Sequence, residues 1–135
     1  MNRIDLKFLL LAALSLVAGV SLGIFMGITH DFQLAPVHAH LNLLGWASLA
    51  LFGIVYRLYP EMAAGRMAAA HFLLAAPAAV LFPIGIALAV LSERPLVAIV
   101  AAFLWLAGAI LFLVQLVALS ARPAAAPAMP AKQAA

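Results

Sequence analysis

Four long apolar runs alternate with three short polar breaks along the chain, at residues 6–29, 36–58, 66–91 and 95–120. The breaks carry His30, Asp31 and Gln33, then Tyr59, Pro60 and Glu61, then Ser92, Glu93 and Arg94. A hydrocarbon core of about 30 Å is crossed by roughly 20 residues of α-helix, so each run predicts a transmembrane helix. Pro36 and Pro95 stand where a helix begins, and there a missing N–H costs nothing. Connections this short predict an antiparallel, up-down-up-down bundle.

Composition sharpens that picture. Hydrophobic residues make up 69% of the chain and charged residues 8%, where a soluble domain carries about a quarter charged. The outside of such a fold must be apolar as well as its inside, and the lipid bilayer is the expected partner. The predicted fold is therefore an all-α membrane protein, with one four-helix transmembrane domain over residues 1–121. The alanine- and proline-rich stretch at 122–135 has no apolar face and is expected to be disordered. The first apolar run is longer than the core of a signal peptide, and no small-residue cleavage site follows it, so it is expected to remain as a span.

Charge gives the bundle a direction. Arg3, Lys7, Arg57, Arg66, Arg122 and Lys132 fall on one side and Arg94 on the other. The positive-inside rule then predicts cytoplasmic N and C termini, with a bacterial inner membrane as the expected location. The net charge of +3 comes from residues that topology places at helix ends, so no nucleic-acid partner is expected. The absence of cysteine excludes disulfides, thiolate metal sites, c-type haem attachment and cysteine nucleophiles. Neither a nucleophile–base constellation nor a nucleotide-binding loop is visible, which excludes hydrolytic and ATP-driven chemistry. The third and fourth runs offer almost no polar lining for a channel.

Ser15, Gly19, Gly23 and Gly27 recur every four residues and form one stripe along the first helix, joined by Met26 and His30. Such a stripe permits close helix packing, or offers a groove for a flat cofactor with His30 at its outer end. Pro77 and Pro83 permit kinks in the third helix. The fourth helix, whose notable residues are Trp105, Gly108 and Gln115, is expected to complete the bundle.

Histidines carry the candidate chemistry, because ionisable groups inside a bilayer are costly and mark function. His30, His38 and His40 lie within eleven positions at the outer end of the first two helices. His38 and His40 are about 200° apart around a helix, so a regular helix cannot bring both to one ion. His38 shares its face with Asn42, Gly45, Leu49, Phe52 and Tyr56, with Trp46 and Gly53 at the margin, and is expected to point into the bundle. His40 shares a lipid- or subunit-facing stripe with Ala47, Leu51, Val55 and Leu58. His71 falls roughly 20 Å from that level and is expected to be a satisfied interfacial histidine. Zinc and copper sites add cysteine or carboxylate ligands, and Asp31 is the only carboxylate nearby. Haem b needs one or two imidazoles and an apolar slot lined by small and aromatic residues. Haem b is thus the expected cofactor and copper the alternative. The expected metal ligands are His38 and His40, and His30, Asn42, Gly45, Trp46, Gly23 and Gly27 are expected to line the site.

The segment His38-Ala-His-Leu-Asn-Leu-Leu-Gly-Trp46, followed by Phe52-Gly-Ile-Val-Tyr-Arg-Leu-Tyr-Pro-Glu61, resembles the second-helix region of haem–copper oxidase catalytic subunits. The nitric oxide reductase and cbb3-type branches are nearest. In that family a histidine near the outer end of this helix ligates low-spin haem b, an Asn and a Trp follow, and a Tyr/Pro/Glu stretch ends the helix. The resemblance implies His38 or His40 as axial ligand, and the spacing leaves both open. It covers residues 38–61 only. The family's catalytic subunit has many more spans, and this chain lacks the histidine-rich segment of a copper or non-haem iron centre. Reduction of oxygen or nitric oxide by this polypeptide alone is not expected. The family fold is often described as three similar four-helix arcs, so the resemblance implies self-association as a trimer; a dimer is the other homo-oligomer expected.

Two functional expectations follow. The first is a small haem b-binding membrane protein serving electron transfer, haem handling or gas sensing, with a respiratory-chain redox partner. The second is a non-catalytic partner or assembly factor of a respiratory oxidase, its histidines structural or copper-binding.

Overall fold

The computed structural model describes residues 3–121. It consists of α1 (Ile4–Thr29), α2 (Ala35–Leu58), a single turn α3 (Pro60–Ala63), α4 (Arg66–Ser92) and α5 (Leu96–Ser120), with no strand among the described residues. The four longer helices have the length and apolar character to cross a membrane. The chain thus has the all-helical, four-span architecture of an integral membrane protein. The tail at 122–135, with Arg122 and Lys132, lies outside the described residues.

Local chemistry explains the boundaries. Pro36 occupies the first turn of α2, and Pro95 stands immediately before α5, so each ring sits where its lack of a donor is harmless. α1 and α4 end on His30 and Glu93, whose φ of 56° and 55° are left-handed, the conformation that closes many helices. Arg94 N–H reaches back to Leu88 O at 3.3 Å and completes the closure after α4. Asp31 shapes the first connection, its Oδ1 accepting from Gln33 N–H at 3.0 Å, an Asx turn. α4 runs as one continuous helix through Pro77 and Pro83.

In lipid, apolar surface gives no net drive to bring helices together, so contact depends on close packing of small residues. The serine–glycine stripe of α1 faces α2 in antiparallel register. A Cβ added at Gly45 would come 2.7 Å from Ser15 Cβ, one at Gly19 2.7 Å from Asn42 Nδ2, and one at Gly23 2.8 Å from His38 Cε1. Gly27 has nothing within 4 Å. The stripe is therefore a packing surface filled by α2 as far as Gly23, and it is open at Gly27. Replacing Gly27 by alanine should be neutral or stabilise by up to about 1 kcal/mol. Gly23→Ala drives the His38 ring off its hydrogen bond and should cost about 1 kcal/mol or more. Thermal unfolding of both variants in one detergent checks the contrast, and equal stabilities would contradict this register.

α5 buries only Ala101, Gly108 and Gln115, spaced seven residues apart. α4 answers with Ala68, Ala75, Ala78 and Ala79. The larger core side chains gather where the helices end near residues 3, 58, 66 and 120. Phe8 and Tyr56 stack there, with Phe52, Phe72 and Phe112 around them. Leu10, Leu14, Ile28, Leu73 and Phe103 are exposed along the outer faces, the surface that meets lipid.

Candidate functional site

His38 and His40 stand in the first turns of α2, at the end opposite the described termini. His38 Nδ1 lies 2.8 Å from Gly19 O, and His40 Nδ1 lies 2.7 Å from Pro36 O. A carbonyl oxygen only accepts, so in each neutral ring Nδ1 carries the proton and Nε2 presents a lone pair. Metal-ligating histidines are held in this way, donating the second ring N–H to a carbonyl or carboxylate. Both side chains are half-buried. Asn42 Nδ2 donates to His38 O at 2.8 Å. Its 3.5 Å approach to His38 Nδ1 sets two donors face to face and is not a hydrogen bond.

The segment that follows, Leu41–Ser48, is wound as π-helix within α2. Side-chain donors take main-chain acceptors at both ends of it: Asn42 bonds His38 O, and Ser48 Oγ donates to Leu43 O at 2.8 Å. Competition of this kind widens a helix, and π segments recur at functional sites. The wider turn also shifts the helical phase. Gly45, Leu49, Gly53 and Tyr56 are buried as the face predicts, but Trp46 is 41% exposed on the outside.

The other expected residues divide. Gly45 is buried against Ser15, Gly23 lies beneath the His38 ring, and Asn42 packs on Gly19. His30 is exposed at the end of α1, and no hydrogen bond joins it to His38 or His40 among the described residues. His40 leaves the α1 side and packs its ring 5.0 Å from that of Phe82 on α4. Among the described residues no three His, Cys, Asp or Glu side chains gather into a metal-binding group. Asp31 is committed to its turn.

An apolar groove of about 360 Å³ runs between α1, α2 and α4, and it takes Val37 and Leu41 from the histidine-bearing part of α2 but neither His38 nor His40. Its walls include Leu11, Ala18, Val37, Leu41, Ala79 and Pro83, and Ser15 is the one polar side chain lining it among the described residues. That volume lies in the range of cofactor pockets, roughly 300–1,000 Å³. A haem fits the donor set better than a bare metal ion does. It brings its own four nitrogens and asks the protein for one or two imidazoles.

A second polar cluster lies near the opposite end. Tyr56 and His71 are fully buried, and Gln115 nearly so. Gln115 Nε2 lies 3.3 Å from Leu111 O, which fixes its amide orientation, and donates to Tyr56 Oη at 3.0 Å. The Tyr56 hydroxyl proton then goes to His71 Nδ1 at 2.8 Å. That leaves the His71 proton on Nε2, which has no partner. Phe8, Phe52 and Phe112 wall the ring at centroid distances of 5.1, 4.6 and 5.3 Å. His71 thus stands near one end of the bundle, as an interfacial histidine does, but it is a core residue and its Nε2 donor is orphaned. Depth would have found the cluster. His71 lies five residues into α4, while Gln115 and Tyr56 stand five and two residues from the ends of α5 and α2. At 1.5 Å per residue all three fall within about 8 Å of one end of the bundle.

No protein-family model, no curated protein and no solved structure matches the chain.

Proposed function

We propose that the chain is a small haem b-binding integral membrane protein, with an α2 imidazole as axial ligand and roles in electron transfer, haem handling or gas sensing. One observation carries this reading. His38 and His40 both give Nδ1–H to a main-chain carbonyl, which leaves each Nε2 lone pair available to iron. Of the two, His40 has the better surroundings. Its neighbours Val37 and Leu41, and Pro83 beside its ring partner Phe82, line the apolar groove. When bound, the haem supplies a one-electron couple or a gas-binding iron. The chain supplies the imidazole, fixes its tautomer and surrounds the site with hydrocarbon.

The π winding just after the two histidines and the resemblance of residues 38–61 to the second helix of haem–copper oxidases support the same reading. Arg3, Lys7, Arg57 and Arg66 lie at one end and Arg94 at the other. That asymmetry supports a reading in which the residue 3 end faces the cytoplasm from a bacterial inner membrane and the histidines lie toward the outer side. Protein purified from haem-replete cells should show a Soret band that is lost in His40→Ala and shifted or weakened in His38→Ala. A preparation that stays colourless after haem is added would overturn the proposal.

A further inference from the structure

A cleft of about 460 Å³ opens where α1 begins, α2 ends and α4 begins. Its polar lining is Arg3, Asp5, Tyr56 and Arg57; the rest is apolar side chain and the main chain at Gly65. The Asp5 carboxylate is buried and accepts from Arg3 Nε at 3.2 Å and from Arg3 Nη2 at 3.1 Å. Arg57 Nη1 stands 3.6 Å from the same carboxylate and makes no hydrogen bond of its own among the described residues. Two guanidiniums thus share one carboxylate, and among the described residues no other acidic side chain lines the cleft. One positive charge is left over at the membrane boundary, in a fork geometry suited to a phosphate. Gly65 caps the N-terminus of the 27-residue helix α4 and offers no side-chain cap, so main-chain N–H groups add to the positive potential.

We propose that this cleft binds a phosphate oxyanion, the headgroup phosphate of an anionic phospholipid. The accessible apolar part of the lining, Ala63, Ala64 and Ala69, suits the glycerol and upper acyl carbons of a lipid and gives a free anion nothing to bind. The cleft also lies at the end of the bundle that the arginine and lysine distribution assigns to the cytoplasmic leaflet, where anionic lipids attract basic groups. Asp5 orients Arg3 and keeps Arg57 close, so less side-chain freedom is lost on binding.

The test uses the full chain in an uncharged maltoside detergent, and reads unfolding temperature against added dihexanoyl phosphatidylglycerol, dihexanoyl phosphatidylcholine or inorganic phosphate. The phosphatidylglycerol should give a saturable rise, and the other two should act at least about tenfold more weakly. Arg57→Gln should weaken the phosphatidylglycerol response about tenfold, the loss expected for one charge-assisted contact. Arg57→Lys, which keeps the charge and loses the fork, should fall between and serves if the glutamine variant does not fold. Equal responses of wild type and both variants, or equal responses to the two lipids, would overturn the proposal. Saturation by inorganic phosphate alone would overturn the assignment to lipid.

Discussion

Gly85→Val is expected to remove at least about 3 kcal/mol of stability, the upper part of the range for overpacking a closed contact. A Cβ at Gly85 would run into the main chain of α5, against Ala98 N, with Ala98 Cα at 2.6 Å and Val97 C at 2.7 Å. Those atoms belong to the first turn of a helix, and no rotamer change can clear them. Relief requires α4 and α5 to separate at this end, and the side chains that hold α5 to α2, Trp105, Phe112 and Gln115, all lie further along it. Denaturant titration in detergent, with Gly27→Ala as the open-space control, measures the effect. Wild-type stability in Gly85→Val would show that the two helices do not approach as closely as described.

The second large effect belongs to the buried polar cluster. Tyr56→Phe removes one oxygen and strips two groups of a partner: His71 Nδ1 loses its only one, and Gln115 Nε2 keeps the longer contact to Leu111 O. A buried unsatisfied group costs about 1–3 kcal/mol, so a loss of roughly 2–3 kcal/mol is expected. His71→Phe should cost less, because it also removes the orphaned Nε2. Combining Tyr56→Phe, His71→Phe and Gln115→Leu should recover most of the loss, since it replaces every member of the network by hydrocarbon. The informative quantity is the coupling between Tyr56 and His71 in a double-mutant cycle, expected at about 1 kcal/mol or more. Strict additivity would mean that the hydroxyl and the imidazole do not depend on each other.

How much of this was legible along the chain differs from element to element. The spans were legible nearly to their ends, because a run of apolar residues in lipid has few alternatives to a hydrogen-bonded helix. Their starts at Pro36 and Pro95 were legible for the same local reason. The stripe from Ser15 to Gly27 was visible as a period of four, but its occupant was not. Only the antiparallel register with α2 shows that His38 and Asn42 fill it and that Gly27 stays open. The inward face of α2 was legible from Gly45 to Tyr56, and the exposure of Trp46 was not. Helix periodicity assumes a constant turn, and the π segment, with Asn42 and Ser48 bonded to main-chain carbonyls at its ends, breaks that assumption.

The histidines mark the division most sharply. Their number, their clustering at one end and the opposition of His38 to His40 are properties of position along a helix, and the residue order alone settled them. Which ring nitrogen keeps the proton depends on which carbonyl lies opposite: Pro36 O, within the same turn, for His40, and Gly19 O, on another helix, for His38. The same holds for His71. Its depth could be counted, but its burial required α1 and α5 to bring Phe8 and Phe112 against it. Residue order decided that four helices form and where they start, because those are local matters of hydrogen bonding and solvation. Tertiary packing decided which polar atoms are satisfied and which lone pairs remain available, because a hydrogen bond needs a partner that lies far away in the chain.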